Sequence, residues 1–153
     1  MRILVISDSH GDSCSVKRAI AEQPTARIVF FLGDGERDID LNEHSRPNLY
    51  IHKVRGNCDY GSILPDYIID EVEGVRIYAT HGYVERVKYG RSLLIKYAMD
   101  NKALIALYGH THIPDTNYTD GIWLVNPGSI KRGEYAVVDI TPGGIMPILM
   151  KLK

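Results

Sequence analysis

Cysteine, tryptophan and phenylalanine are scarce in this chain, and neither sign of charge is in excess. The two cysteines, Cys14 and Cys58, make no disulfide framework. A chain of 153 residues needs none, since a domain of this size buries roughly 68–70% of its unfolded surface. A reducing compartment follows, with the cytoplasm as the expectation. Long apolar runs are missing too. Ile3–Ile6 and Ile28–Leu32 fall well short of the roughly 20 residues of a membrane span and of a signal-peptide core. Neither membrane association nor a targeting segment is expected. A net charge of −1 argues against broad electrostatic capture of nucleic acid. Repeats, linkers and low-complexity tracts are absent, so residues 1–153 are expected to form one domain.

What the chain does have is six histidines, four of them beside acidic residues, glycines or each other. The surrounding pattern is strand-rich. Ile3–Ile6 reads as a strand buried on both faces. Asp12 or Ser13 caps a helix running to about Gln23, with Val16, Ala19 and Ile20 on one face. Ile28–Leu32 and Leu49–Val54 read as further strands, and this strand–helix–strand–loop–strand order favours parallel pairing. Asp38–His44 reads as a short helix or turn. Glu73-Gly74 and Asp120-Gly121 mark hairpins. Leu93, Leu94, Tyr97 and Ala98 predict a helix over Lys88–Asn101. Ala103–Tyr108 is another strand, and Tyr135–Ile140 with Ile145–Leu152 form a closing pair. The ten tyrosines mostly fall in these runs and read as core or sheet-face residues.

Five of the strand-like runs end in short loops that carry Asp, Asn or His. These are Ser7-Asp8-Ser9-His10, Gly33-Asp34, Gly56-Asn57, Thr80-His81-Gly82 and Gly109-His110-Thr111-His112. Sites in α/β sheets collect at the carboxyl ends of strands, so the five loops are expected to converge. Carboxylate, amide and imidazole ligands suit Mn, Fe, Co, Ni or Zn. Asp8, His10, Asp34, Asn57, His81, His110 and His112 are too many for one ion. Two ions roughly 3.5–4 Å apart, sharing a carboxylate, would employ them all, clamp a phosphoryl group and lower the pKa of a bound water to roughly 7. Each pair alone is an ordinary turn or cap signal. Their joint occurrence, each at a strand end, is far harder to assign to turns.

These motifs, with Gly56-Asn57-Cys58-Asp59, resemble the calcineurin-like metallophosphoesterases from Met1 to about Arg132. The short length and Asn126-Pro127-Gly128-Ser129 are similar to the small YfcE-like phosphodiesterase branch. The resemblance implies a four-layer α/β/β/α sandwich. It implies that Asp8, His10 and His112 hold one metal, that Asn57, His81 and His110 hold the other, and that Asp34 bridges them. It implies a hydroxide between two divalent ions, Mn first with Ni, Zn, Fe or Co as alternatives, attacking a small phosphodiester. Asn57, His81, Cys58 and Asp59 then count as the candidate catalytic residues, and Asn57, Cys58 and Arg132 as the substrate contacts. Members of that branch form dimers or tetramers, which makes a homo-oligomer an expectation.

Two positions depart from the wider family. Many members carry His after the motif Asn. Here Cys58 stands there, and a thiol replaces an imidazolium poorly. Asp59 is then the candidate for the unassigned general acid, against a plain turn role. Many members also place an Asp three residues after the bridging one, where this chain has Arg37. Asp38 follows and reads as a solvated helix cap. Arg86, Lys88 and Arg91, near Tyr83 and Tyr89, either guide a phosphate-bearing substrate or cover a solvated loop. His44 and His52 read as surface residues, and Cys14 as a small residue packed at a helix start. The competing functions are a phosphomonoesterase or nucleotidase, a nuclease, and a non-catalytic interaction scaffold on the same fold, like the retromer subunit. Such a scaffold would be marked by lost metal ligands. Specificity would lie in the loops Tyr60–Asp66 and Val84–Gly90.

Overall fold

The computed structural model describes all residues, Met1 to Lys153. Two five-stranded sheets lie face to face. The first has the order β10-β9-β1-β2-β3 and the second β4-β5-β6-β8-β7. Their strands are β1 Arg2–Ile6, β2 Ile28–Phe31, β3 Tyr50–Lys53, β4 Tyr67–Val72, β5 Val75–Thr80, β6 Ile105–Leu107, β7 Asp115–Thr119, β8 Ile122–Asn126, β9 Glu134–Thr141 and β10 Gly144–Lys151. The helices are α1 Ser13–Glu22, α2 Glu36–Asp40 and α3 Ser92–Asp100. β1, β2 and β3 run parallel, as do β5, β6 and β8. β9 and β10 close the first sheet antiparallel.

Strand alternation sorts the apolar residues into three layers. Ile3, Val5, Phe30, Ile77, Ile105, Leu107, Val125 and Val138 fill the space between the sheets. Leu4, Ile6, Val29, Phe31 and Val137 point the other way, onto Val16, Ala19 and Ile20 of α1 and Ile39 of α2. Tyr78, Ala106 and Leu124 face Leu94 and Ala98 of α3. The architecture is therefore the four-layer α/β/β/α sandwich. β1 is apolar from Ile3 to Ile6, where both of its faces are covered.

The local signals hold where chemistry fixes the end of an element. Asp12 caps α1, its carboxylate accepting from the Ser15 amide at 2.9 Å. Both predicted hairpins form, with both turn residues at positive φ. The helix expected from Lys88 begins only at Ser92. Val87–Tyr89 is a 3-10 turn, and Gly90, at φ 141°, interrupts the path into α3.

Several side-chain expectations need correction. Cys14 is exposed, because the first turn of α1 turns that position away from the sheet. Of the tyrosines, Tyr78, Tyr108 and Tyr135 are buried, while Tyr50, Tyr60, Tyr67, Tyr83, Tyr89 and Tyr118 are exposed. His52 is half-buried rather than a surface residue. It stacks on Phe30 at 4.8 Å and pairs with Asp70 at 3.0 Å, tying the edge strand β3 to the edge strand β4. No helix is long and apolar enough to cross a membrane.

Leu107 is fully buried between the sheets, whereas Leu41 is 77% exposed. Leu107→Ala is expected to cost about 2–5 kcal/mol and Leu41→Ala no more than about 0.5 kcal/mol. Equilibrium denaturant unfolding of the two variants checks the layer assignment.

Candidate metal centre

Each of the five motif loops leaves the carboxyl end of a strand: β1, β2, β3, β5 and β6. The loops meet because their backbones bond to one another. The Asp8 amide donates to Gly33 O at 3.0 Å, the His10 amide to Asp34 O at 3.0 Å and the Gly109 amide to His81 O at 2.9 Å. Such close approach leaves no room for side chains at the contact points. A Cβ on Gly56 would collide with the Asp34 carboxylate and amide, and one on Gly109 with the Ser7 hydroxyl.

The backbone is also bent hard at the candidate ligands. Ten non-glycine residues have positive φ, and five are Asp8, His10, Asp34, His110 and His112, at 42° to 69°. The left-handed region costs roughly 1–2 kcal/mol per residue. Such strain clusters where function requires a fixed direction. Here it turns each side chain inward directly after its strand.

The result is two main groups of donor atoms, Asp8, His10 and His112 in one and Asp34, His81 and His110 in the other, with a third, His10, Asp34 and Cys58, lying across them. In the first, Asp8 Oδ1 lies 3.0 Å from His112 Nε2 and 3.6 Å from His10 Nε2, and the two imidazole nitrogens are 3.2 Å apart. In the second, His81 Nε2 lies 3.4 Å from Asp34 Oδ2 and 3.0 Å from Asn57 Oδ1. Asp34 Oδ2 is also 3.7 Å from His10 Nε2, so one oxygen lies between the groups. Bonds of roughly 2.0–2.2 Å to a metal would place donors on a single ion roughly 2.9–3.6 Å apart. The observed separations fall in or next to that range.

The hydrogen bonding fits a cation as well. Asp8 is fully buried. Its Oδ2 accepts from the Ser7 hydroxyl and the His110 amide. Its Oδ1 is the one buried side-chain polar atom without a hydrogen-bond partner. A buried carboxylate oxygen without a donor carries a desolvation penalty that a metal ion removes. No Lys or Arg pairs with Asp8 or Asp34; their charged-group neighbours are all histidines. The Leu32 carbonyl can only accept, so His81 Nδ1, 2.6 Å away, donates its proton there. Its Nε2 lone pair is then directed at Asp34 and Asn57, the usual arrangement behind a metal-binding histidine.

Charge and burial tune the groups. Burial opposes ionisation of Asp34, but His81 and the Cys58 amide outweigh it and hold the carboxyl well below its ordinary range. Burial likewise opposes charging of His81, yet Asp34 and Asp8 raise its pKa. Burial, then the charge of His81 and Lys88, lowers His110 to about 4. Lost hydration and the charge of Asp34 push the Cys58 thiol up, which keeps it protonated. Cys58 is exposed beside the centre and takes a 3.5 Å contact from Asn57 Nδ2.

Supporting residues lie behind the ligands, and sequence reasoning passed over most of them. Asp38 is not a solvated cap. It is buried and accepts from Ser9 Oγ at 2.5 Å and the Gly11 amide at 2.8 Å, which fixes the His10 loop. Asn126 donates to Gly109 O and Thr111 Oγ1, and Ser129 donates to Asp8 O. The only signal for these two was the Asn126-Pro127-Gly128-Ser129 motif. Arg132 is exposed and donates to His112 O at 3.3 Å, beside the first group. Asp59 has no free oxygen. Its carboxylate accepts from the backbone amides of Asp34, Gly35, Glu36 and Gly56 at 2.7–3.0 Å. It thereby clasps the Asp34 and Asn57 loops together.

Comparison with known proteins identifies the family and the fold. The family model of the calcineurin-like phosphoesterase superfamily domain matches residues 1–143. Phosphodiesterase YfcE of Escherichia coli strain K12 is 30% identical over 154 positions, spanning 85% of this chain and 79% of that protein. A crystal structure of a predicted phosphoesterase from Streptococcus pneumoniae TIGR4 superposes with a TM-score of 0.78 at 29% identity, over 97% of each chain. Zinc-complexed Vps29 of Entamoeba histolytica superposes with a TM-score of 0.74 over 100% of each chain. At 19% identity that likeness shows the fold alone.

Asp59→Ala would strand four backbone N–H groups, and a stability loss of about 1–3 kcal/mol is expected in denaturant unfolding. Unchanged stability with a displaced alkaline limb in the pH–rate profile would instead mark Asp59 as a proton donor.

Proposed function

The chain belongs to the calcineurin-like phosphoesterase superfamily, and from that premise we propose that it is a two-metal phosphodiesterase acting on small phosphate esters. The observation that carries this reading is the Asp34 carboxylate oxygen placed between two donor groups. Asp8, His10 and His112 with Asp34 would hold one divalent ion, and Asn57, His81 and His110 with Asp34 the other. Manganese is the first choice, with Ni, Zn, Fe or Co as alternatives. When bound, such a pair supplies Lewis acidity and a water acidic enough to attack phosphorus in line with the leaving group.

The chain's own residues set what can be cleaved. Asn57 places its amide oxygen 3.0 Å from His81 Nε2 and its amide nitrogen 3.5 Å from Cys58 Sγ. The neutral Cys58 thiol cannot supply the proton that a neighbouring imidazolium would. Asp59, with both oxygens engaged, reads as a clasp rather than as the missing acid. Diesters with good leaving groups are therefore the favoured substrates, and esters that need protonation on leaving are disfavoured. Arg132, against the His112 carbonyl, is the basic side chain proposed to meet a phosphate oxygen on the Asp8 side, with Lys131 beside it at the His10 carbonyl. All seven ligand positions are occupied by competent side chains, which speaks against a purely scaffolding role.

Chelation of the purified protein is expected to abolish hydrolysis of bis(p-nitrophenyl) phosphate, and Mn to restore it. Asp34→Asn should lower kcat/KM by at least about a hundredfold, or roughly 2.7 kcal/mol. Asp38→Asn keeps an acceptor oxygen and should lose less than about tenfold, or roughly 1.4 kcal/mol. Full turnover after verified metal removal would contradict the mechanism, and equal losses would misplace the bridge.

A further inference from the structure

The loop Gly82–Gly90 follows directly from the candidate ligand His81 and is firmly anchored. Glu85, 2% exposed, accepts from Tyr78 Oη at 2.7 Å and Thr80 Oγ1 at 2.9 Å. Val87 is buried, and its amide donates to Gly82 O at 3.1 Å. The Arg86 amide bonds back to Tyr83 O at 3.1 Å, and the Tyr89 amide to Arg86 O at 2.9 Å. With Glu85 and Val87 turned in, Tyr83, Val84, Arg86, Lys88 and Tyr89 are turned out.

That outer face joins two features. Tyr83 is 59% exposed and Tyr89 is 92% exposed, so both rings are open to a ligand. The basic cluster seen in the sequence also divides. Arg91 is neutralised by Asp115 at 2.5 Å, whereas Arg86 and Lys88 take part in none of the ion pairs of the structure. The same face lines a cavity of about 830 Å³ with Tyr83, Val84, Arg86, Lys88, Tyr89 and His110. The Tyr83 ring meets the His110 ring edge-on at 5.6 Å. The cavity therefore opens onto a candidate ligand of the metal centre, and its size suits a nucleotide-sized group.

We propose that this face is a substrate subsite for a phosphodiester whose arm carries a planar ring and a second phosphate: the ring lies on Tyr83 and Tyr89, and the second phosphate meets Arg86 and Lys88. Exposed rings are stacking platforms for bases, and two cations without carboxylate partners are free to bind a phosphate. The inference rests on the two-metal reading for the position of the scissile phosphate. In the reaction, water oxygen forms the new bond to phosphorus, the ester P–O bond breaks, the alcohol oxygen leaves with the electron pair, and the water proton goes to solvent.

The test uses Mn-loaded protein with thymidine 5′-(p-nitrophenyl phosphate) and its 3′-phosphorylated form. Both release p-nitrophenol. The 3′-phosphate is expected to raise kcat/KM about tenfold in the wild type. That ratio should fall towards one in R86Q/K88Q and below one in R86E/K88E. A wild-type ratio near one, or a ratio that the substitutions leave alone, overturns the proposal. Calorimetric titration with thymidine 3′,5′-bisphosphate and thymidine 5′-monophosphate gives a second readout. The bisphosphate should bind more tightly to the wild type, and R86E/K88E should abolish the difference; equal binding to the wild type overturns the proposal. If neither ester is hydrolysed but the binding difference appears, the two-metal reading fails while the subsite stands.

Discussion

Seven electron-donating groups with no permanent cation among them are pressed into one spot at the ends of two sheets. The Asp8 and Asp34 carboxylates repel each other, and the His10 and His112 imidazole nitrogens stand only 3.2 Å apart. Much of the loop architecture holds these groups together. Five of the candidate ligands are held in a left-handed backbone conformation, and Gly56 and Gly109 let neighbouring loops touch without side chains between them. Asp59, Asp38, Asn126 and Ser129 then bond the loops to one another. The sheets supply the rigidity on which this strain can rest, since β1, β2, β5 and β6 are buried on both sides for most of their length.

The candidate metal centre and the fold are therefore one arrangement. The two sheets meet through Ile3, Val5, Ile77 and Leu107, and those same strands deliver Asp8, His81 and His110 a few residues further on. A ligand position cannot move without moving a core strand. The rim is a different matter. The Gly82–Gly90 loop is anchored mainly by Glu85 and Val87, and its outer side chains have no part in the core.

Much of this was legible in the residues. β1, α1, both hairpins and the closing strand pair have strong local signals: an unbroken apolar run, an Asp cap, and Glu-Gly and Asp-Gly turns. The seven donor residues stood out because each follows a strand, although only the family resemblance divided them into two sets. Orientation was not legible. Asp38 reads as a surface cap in sequence because its partners, Ser9 and Gly11, are far away along the chain. Asp59 looked like a spare acid because its four amide partners lie mostly on another loop. His52 looked exposed because its partner Asp70 is on the other sheet. The tyrosines misled for the same reason, since strand propensity does not say which edge or rim a ring will occupy.

The central claim is that Asp34 joins two donor groups into one centre. Electron paramagnetic resonance of protein reconstituted with Mn(II) addresses it most directly. Two ions per chain with an exchange-coupled signal, replaced by isolated-ion signals in Asp34→Asn, is the predicted result. A wild-type spectrum showing only isolated Mn(II) when both equivalents are bound would contradict it.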